Sequence, residues 1–173
     1  SMAAEPVLTD SISSRTIQVQ GYEPKPDEDM NPWTNEVGPD YFRTMGPALL
    51  LGREFTARDA EGAPLVAVVN ETFARYYFGS ESPIGRRFGW RVLNDPGAIE
   101  IVGVVADSLY EGPREGVRRQ VFIPSRGKNS ATFYVRSQSA SAGTFSQIRR
   151  ELAALDAAIP VYAMKTVEGQ LDE

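Results

Sequence analysis

A chain of 173 residues, 42% hydrophobic and 24% charged, suits one domain or two small subdomains around a shared core. It contains neither Cys nor His, which excludes a disulfide framework, Cys/His zinc sites and catalytic triads that use His. The net charge of −5 is uneven, with 8 acidic and 2 basic residues up to Asp40 and 15 and 16 in the remainder; the acidic entry argues against a nucleic-acid binder.

No apolar run approaches the ~20 residues needed to span a bilayer, and no secretory leader is recognisable. The chain as given therefore reads as soluble. Residues 3–15 show no period and read as a loose lead-in. Residues 16–20 alternate polar and β-branched apolar side chains, the pattern of a strand. Residues 21–32 hold three prolines and four acids and read as a polar loop. Residues 33–37 return to extended structure. Gly38-Pro39 opens a short helix with Pro at its first position and Asp40 in its first turn; Tyr41, Phe42 and Met45 form the apolar face and Gly46 ends it.

An apolar segment, 47–55, turns at Gly52-Arg53, and a helical turn is expected from Thr56. The unit around which the chain is organised is LVAVVNETFARYYFGSESPIGRRF, residues 65–88. Its continuous apolar run 65–69 predicts a buried strand. Asn70 is positioned to cap a helix whose apolar face is Phe73, Ala74, Tyr77 and Phe78, with Glu71 in the first turn. Gly79 ends that helix, and 84–88 returns as extended structure. The second apolar run, IEIVGVV at 99–105, predicts another buried strand, in which Gly103 marks a bulge or a close backbone approach. A charged loop follows over 107–119, then a strand at 120–124, a tight turn at 126–130 and a strand at 132–136. Residues 143–155 give the best helix, with Phe145, Ile148, Leu152 and Leu155 on one stripe. A strand over 160–165 and a short helix over 167–171 complete the α+β pattern. The β-α-β ending, 132–165, reads as a parallel crossover.

Several of these segments resemble, in the same order, the periplasmic core domain of MacB-like ABC transporter permeases, the FtsX-like permease group: VGPDYFRTMG, GREFTARD, VVNETFARYYFGSESPIGRRF, IEIVGVVAD and QVFIPS. The likeness covers about residues 16–171 and is closest in form to the large acidobacterial-type predicted permeases. It implies a discontinuous ferredoxin-like porter lobe built from residues 1–50 and 126–173, with a small α/β lobe, 51–125, inserted between them. It also implies a non-enzymatic extracytoplasmic domain with no cofactor and no metal. That domain would pass ATP-driven movement to partners outside the membrane or contact cargo there. The implied partners are flanking transmembrane segments, a separate ABC ATPase, a periplasmic adaptor and a second copy, with no nucleic acid. In the family a strand and a long helix precede the point matching about Val7. Without them a porter lobe shows an open sheet edge, and self-association through that lobe is expected unless Val7, Leu8 and Ile12 cover the gap.

Chemistry-bearing residues are few. Asp107 and Glu111 lie at the end of a buried strand, where sites in α/β folds often sit, and are the candidates for an alternative reading as a carboxylate-dependent extracytoplasmic hydrolase. A solvated loop end is the plainer reading of the pair. Asn70-Glu71-Thr72 matches a glycosylation sequon, yet its place at a helix start favours capping. Arg114, Arg118, Arg119, Arg126 and Lys128 form a basic cluster, read as a solvated hairpin or as a contact for an acidic partner or lipid headgroups. Trp33, Trp90 and Tyr110 are candidate partner anchors, with packing as the alternative. GVVADSLYEG lacks the Gly-Lys-Ser/Thr ending of a P-loop, and no nucleotide motif is found.

Overall fold

Two apolar runs set the centre of the molecule. In a computed structural model of the chain, which describes residues 1–6, 13–59, 61–108, 116–126, 131–137, 141–156, 160–161 and 163–171, they form adjacent parallel strands. These are β6 (Leu65–Asn70) and β8 (Ile99–Val105). Their side chains alternate between two buried clusters. Ala67, Val69, Ile99 and Ile101 enter one, and Val66, Val68, Val102 and Val105 enter the other. Both faces of these strands are therefore covered, which explains the continuous rather than alternating apolar pattern. Between Ala67 and Val68 the register against β8 slips by one residue, so Val68 pairs with Gly103. A Cβ on Gly103 would lie 2.3 Å from the Arg53 carbonyl oxygen, so the glycine marks both irregularity and close approach.

The chain divides into two compact units, Ser1–Tyr134 and Val135–Glu173. Among the described residues the first holds one mixed sheet, in which eight strands follow the order β10-β1-β4-β9-β6-β8-β7-β3. The remaining members are β1 (Met2–Ala3), β2 (Ser13–Ser14), β3 (Ile17–Val19), β4 (Trp33–Val37), β5 (Leu49–Gly52), β7 (Arg87–Trp90), β9 (Gln120–Pro124) and β10 (Thr132–Phe133). β2 adds to β4, and β5 adds to β8 beyond the end of β7. Two helices cover the two faces. α1 (Tyr41–Met45) buries Tyr41 and Phe42 against Phe122 on one side. α2 (Glu71–Phe78) buries Phe73 and Tyr77 on the other. The second unit contains α3 (Ser141–Leu155) and α4 (Val167–Leu171). No helix is long and apolar enough to cross a membrane among the described residues.

The chain departs from expectation in five places. The lead-in is not wholly loose, since Met2–Ala3 and Ser13–Ser14 both join the sheet. Asp40 stands before α1, in a left-handed conformation (φ 59°), and gives no side-chain cap, so the helix starts at Tyr41 rather than at Pro39. Phe78 is only partly buried; Tyr77, one residue earlier, takes the deeper place beside Phe73. The strand expected over 132–136 stops at Phe133. The described residues of 160–165 form no strand, so the terminal parallel crossover is not made among them. The tight turn at 126–130 lies mostly outside the described residues, as do Val7, Leu8 and Ile12.

Candidate functional site

Asn70 ends β6 and begins α2, and its amide uses every hydrogen-bonding position it has. It is fully buried. Its Oδ1 accepts from the backbone N–H of Phe73 at 3.1 Å, the cap anticipated from sequence, and also from the N–H of Gln120 at 2.9 Å. Its Nδ2 donates to the Arg118 carbonyl and to Asp107 Oδ1, each at 2.8 Å. One side chain thus joins the start of α2, the entry to β9 and the segment leaving β8. Glycosylation at the Asn70 sequon would need this buried amide to leave the core.

Asp107 completes the junction. Oδ1 also accepts from the Thr72 backbone N–H at 3.0 Å, satisfying a free donor of the first turn of α2. Oδ2 accepts from Thr72 Oγ1 at 2.8 Å and from Arg75 Nη2 at 3.0 Å. A carboxylate with four internal donors is not the solvated loop end of the plainer reading. Glu111, its proposed companion, lies outside the described residues, as do Tyr110, Arg114 and Lys128.

A second network ties the acidic loop to α2. Glu28 Oε1 accepts from the hydroxyls of Tyr22 and Tyr76, both at 2.6 Å, and Oε2 accepts from the Lys25 N–H at 2.7 Å. The two tyrosine hydrogen bonds, with the Lys25 N–H, hold the Glu28 carboxyl down at about 2. The same contact with Glu28 raises Tyr22 and Tyr76 above the usual phenol range, while burial pushes Tyr77 up to about 12. Arg119 Nη1 donates to the Tyr77 hydroxyl at 2.8 Å, Nη2 donates to Asp29 at 2.9 Å, and the guanidinium lies 4.4 Å from the Tyr76 ring centre. Nothing in the polarity of 21–32 announced this network; the adjacent tyrosines of RYYF were its only trace.

The basic cluster does not gather into one patch among its described members. Arg118 stacks over Trp33 and Arg119 is held by Tyr77 and Asp29. Arg126 donates to the Ala63 carbonyl beyond the other end of β9, some ~20 Å of strand away. Trp33 is half-buried; Trp90 is 7% exposed, with the Arg15 guanidinium 5.3 Å from its ring centre. Packing is thus the main role of both. The GREFTARD segment forms its own closed loop. Arg53 grips buried Asp59 through two hydrogen bonds of 2.8 and 2.9 Å, and Asp59 also accepts from Thr56 N and Oγ1. The Arg53 hydrogen bonds, reinforced by Thr56 against the effect of burial, pull the Asp59 carboxyl down to about 2.

Comparison with known proteins follows this geometry. The family described as the MacB-like periplasmic core domain matches residues 2–157. A macrolide export ATP-binding/permease protein, MacB, of Bdellovibrio bacteriovorus is 30% identical over 79 residues, which are 46% of this chain and 12% of that protein. The crystal structure of the periplasmic region of MacB from Actinobacillus actinomycetemcomitans superposes with a TM-score of 0.60 at 18% identity, over 90% of this chain and 66% of that one. The extracellular domain of the ABC-type transporter YknZ from Gram-positive bacteria gives 0.59 at 20% identity, over 95% and 80%. At these identities the solved structures speak for the fold, and the mixed sheet with few helices is theirs. The chain belongs to the MacB-like periplasmic core domains, the extracytoplasmic part of MacB-like ABC transporter permeases.

Proposed function

We propose that this domain works without covalent chemistry, passing ATP-driven movement of a permease to partners outside the membrane. The observation that carries the reading is the junction at Asn70 and Asp107. Its polar groups are consumed in joining α2, β8 and β9 into one body. Such a body relays displacement instead of absorbing it, and its best-placed carboxylate has no free position for a substrate. The hydrolase alternative loses its main residue by the same count.

The partners this reading names are the transmembrane segments of the same permease, an ABC ATPase module, an adaptor protein outside the membrane and a second copy of the chain. It also keeps the division into a porter-like lobe, 1–50 and 126–173, and an inserted lobe, 51–125. On this division the parallel pairing of β4 with β9, five register pairs from Trp33–Gln120 to Val37–Pro124, would be what couples the lobes. The test is removal of residues 2–157 from the full-length permease assembled with its ATPase. ATP hydrolysis should persist while export stops. Undiminished export, or a hydrolase activity of the 173-residue chain lost in Asp107→Asn with the fold intact, would overturn the reading.

A further inference from the structure

Beyond the end of β7 the chain makes a tight 3₁₀ turn, Arg91–Leu93, and presents apolar side chains to solvent. Val92 is 89% exposed and Leu93 is 58% exposed. The turn is built to hold them there. Asn94 closes it in a left-handed conformation (φ 50°), its N–H donating to the Arg91 carbonyl. The Arg91 N–H in turn donates to the Thr16 carbonyl. Behind the turn, a Cβ on Gly89 would lie 1.7 Å from the Asp95 carbonyl oxygen, so the returning segment is pressed against β7.

Beside this turn runs an open groove of about 560 Å³, lined by Arg15, Thr16, Trp90, Arg91, Val92 and Leu93. That volume falls in the ~300–1,000 Å³ range of small-molecule sites. Trp90, 7% exposed, takes part in the lining, and Val92 and Leu93 supply an apolar wall. Its charge is cationic and poorly compensated. The Arg91 guanidinium makes no ion pair or hydrogen bond among the described residues. Arg15 reaches Glu36 only at 3.9 Å, the longest of the ion pairs among the described residues, and otherwise lies over Trp90. The nearest acid in sequence, Asp95, has Oδ1 engaged by the Gly97 N–H.

From this pairing of an apolar wall with the unpaired Arg91 and the loosely paired Arg15 we propose that the groove binds a free single-chain anionic amphiphile. The apolar chain lies along Trp90, Val92 and Leu93, and a carboxylate, sulfate or phosphate head is held by Arg15 and Arg91. Guanidinium forks suit such heads. Binding of this kind needs no partner domain, so it can fail while the transport reading stands.

The experiment uses the 173-residue chain carrying Trp33→Phe, which leaves Trp90 as its single tryptophan. Decyl phosphate, below its micelle concentration, should change Trp90 emission saturably. Arg15→Gln and Arg91→Gln should each weaken the response by about three- to tenfold. Val92→Ser with Leu93→Ser should weaken it further, with circular dichroism unchanged, since both side chains stand in solvent. Four results would overturn the proposal. They are an equal response to inorganic phosphate, an equal response to an uncharged decyl amphiphile, a response to anionic phospholipid vesicles alone, and no saturable response.

Discussion

Asn70→Ala is expected to be among the most damaging single substitutions in the chain, and the reason separates a hub from an ordinary cap. Losing a helix cap costs about 1 kcal/mol. Here the alanine also strands the N–H of buried Gln120 and removes the partner of the carbonyl of exposed Arg118. A buried donor or acceptor left unpaired costs about 1–3 kcal/mol. With the Arg118 hydrogen bond counted at about 0.5–1.5 kcal/mol, these losses together point to roughly 2.5–5.5 kcal/mol, comparable with emptying the fully buried Phe73 site. Phe78→Ala, at a half-buried position, should cost less, near ~1–2 kcal/mol. Urea titrations of the three variants at neutral pH give the ordering directly. Asn70→Asp sharpens the test. It keeps the acceptor for Phe73 and Gln120 but sets a second carboxylate within about 3 Å of Asp107. The new carboxyl is buried beside a like charge and holds its proton to higher pH than a free one, so the Asn70→Asp variant should regain stability as pH falls from neutral toward the ordinary carboxylate range. Asn70→Ala should show no such recovery. An Asn70→Ala cost near 1 kcal/mol, below that of Phe78→Ala, would refute the hub and leave only a cap.

Further outcomes follow from the other contacts. Asp59→Asn should destabilise by about 2 kcal/mol at neutral pH. Because the folded carboxyl sits at about 2, below its unfolded value, its contribution is complete above pH ~4 and fades as pH falls through about 2; the gap between wild type and variant should close over that window in acid unfolding curves. Glu28→Gln replaces the carboxylate that raises Tyr22 and Tyr76 with a neutral amide, so tyrosinate absorbance in an alkaline titration should appear at lower pH than in wild type; unchanged titration would mean the loop does not close on α2. Gly103→Ala drives a Cβ to 2.3 Å from the Arg53 carbonyl oxygen and 3.2 Å from Val68 Cγ2. It should cost about 3 kcal/mol or more in a denaturant titration.

Periodicity carried the centre of the fold, because both faces of β6 and β8 are buried and each run therefore reads as unbroken apolar sequence. The boundaries of α2 were equally legible: Asn70 caps it and Gly79 ends it at positive φ. What failed was decided by neighbours distant in sequence. Phe78 and Tyr77 are equally apolar in local pattern, and the choice between them follows from Tyr22, Met30 and Arg119 meeting the Tyr77 ring and hydroxyl. Asp107 could be placed at a strand end from sequence, but its donors lie 32 to 37 residues away. A carboxylate's spacing says nothing about whether such donors will fill it.

Sheet edges show the same limit and have consequences for association. β3 is the last strand on its side, an invitation to other chains. The polar loop over 21–32, read from sequence only as a connection, closes over it: the Met30 carbonyl accepts from the Ile17 N–H, and the Tyr22 N–H donates to the Val19 carbonyl. Glu28, bound by Tyr22 and Tyr76, fastens that cover to α2. β5 differs. Its pairing among the described residues is with β8 alone, and Leu49, Leu50 and Leu51 are 38–49% exposed. The register slip between Leu49 and Leu51 bends the strand, a device that discourages edge-to-edge pairing without hiding the side chains. Loss of the loop contacts and loss of the bulge should therefore act differently. Freeing Glu28 exposes a buried edge only after local opening, whereas β5 is apolar and accessible in the folded chain. An association that grows in Glu28→Gln and one that is already present in wild type accordingly point to different strands, and a charge placed at Leu50 should suppress the second while leaving the first untouched.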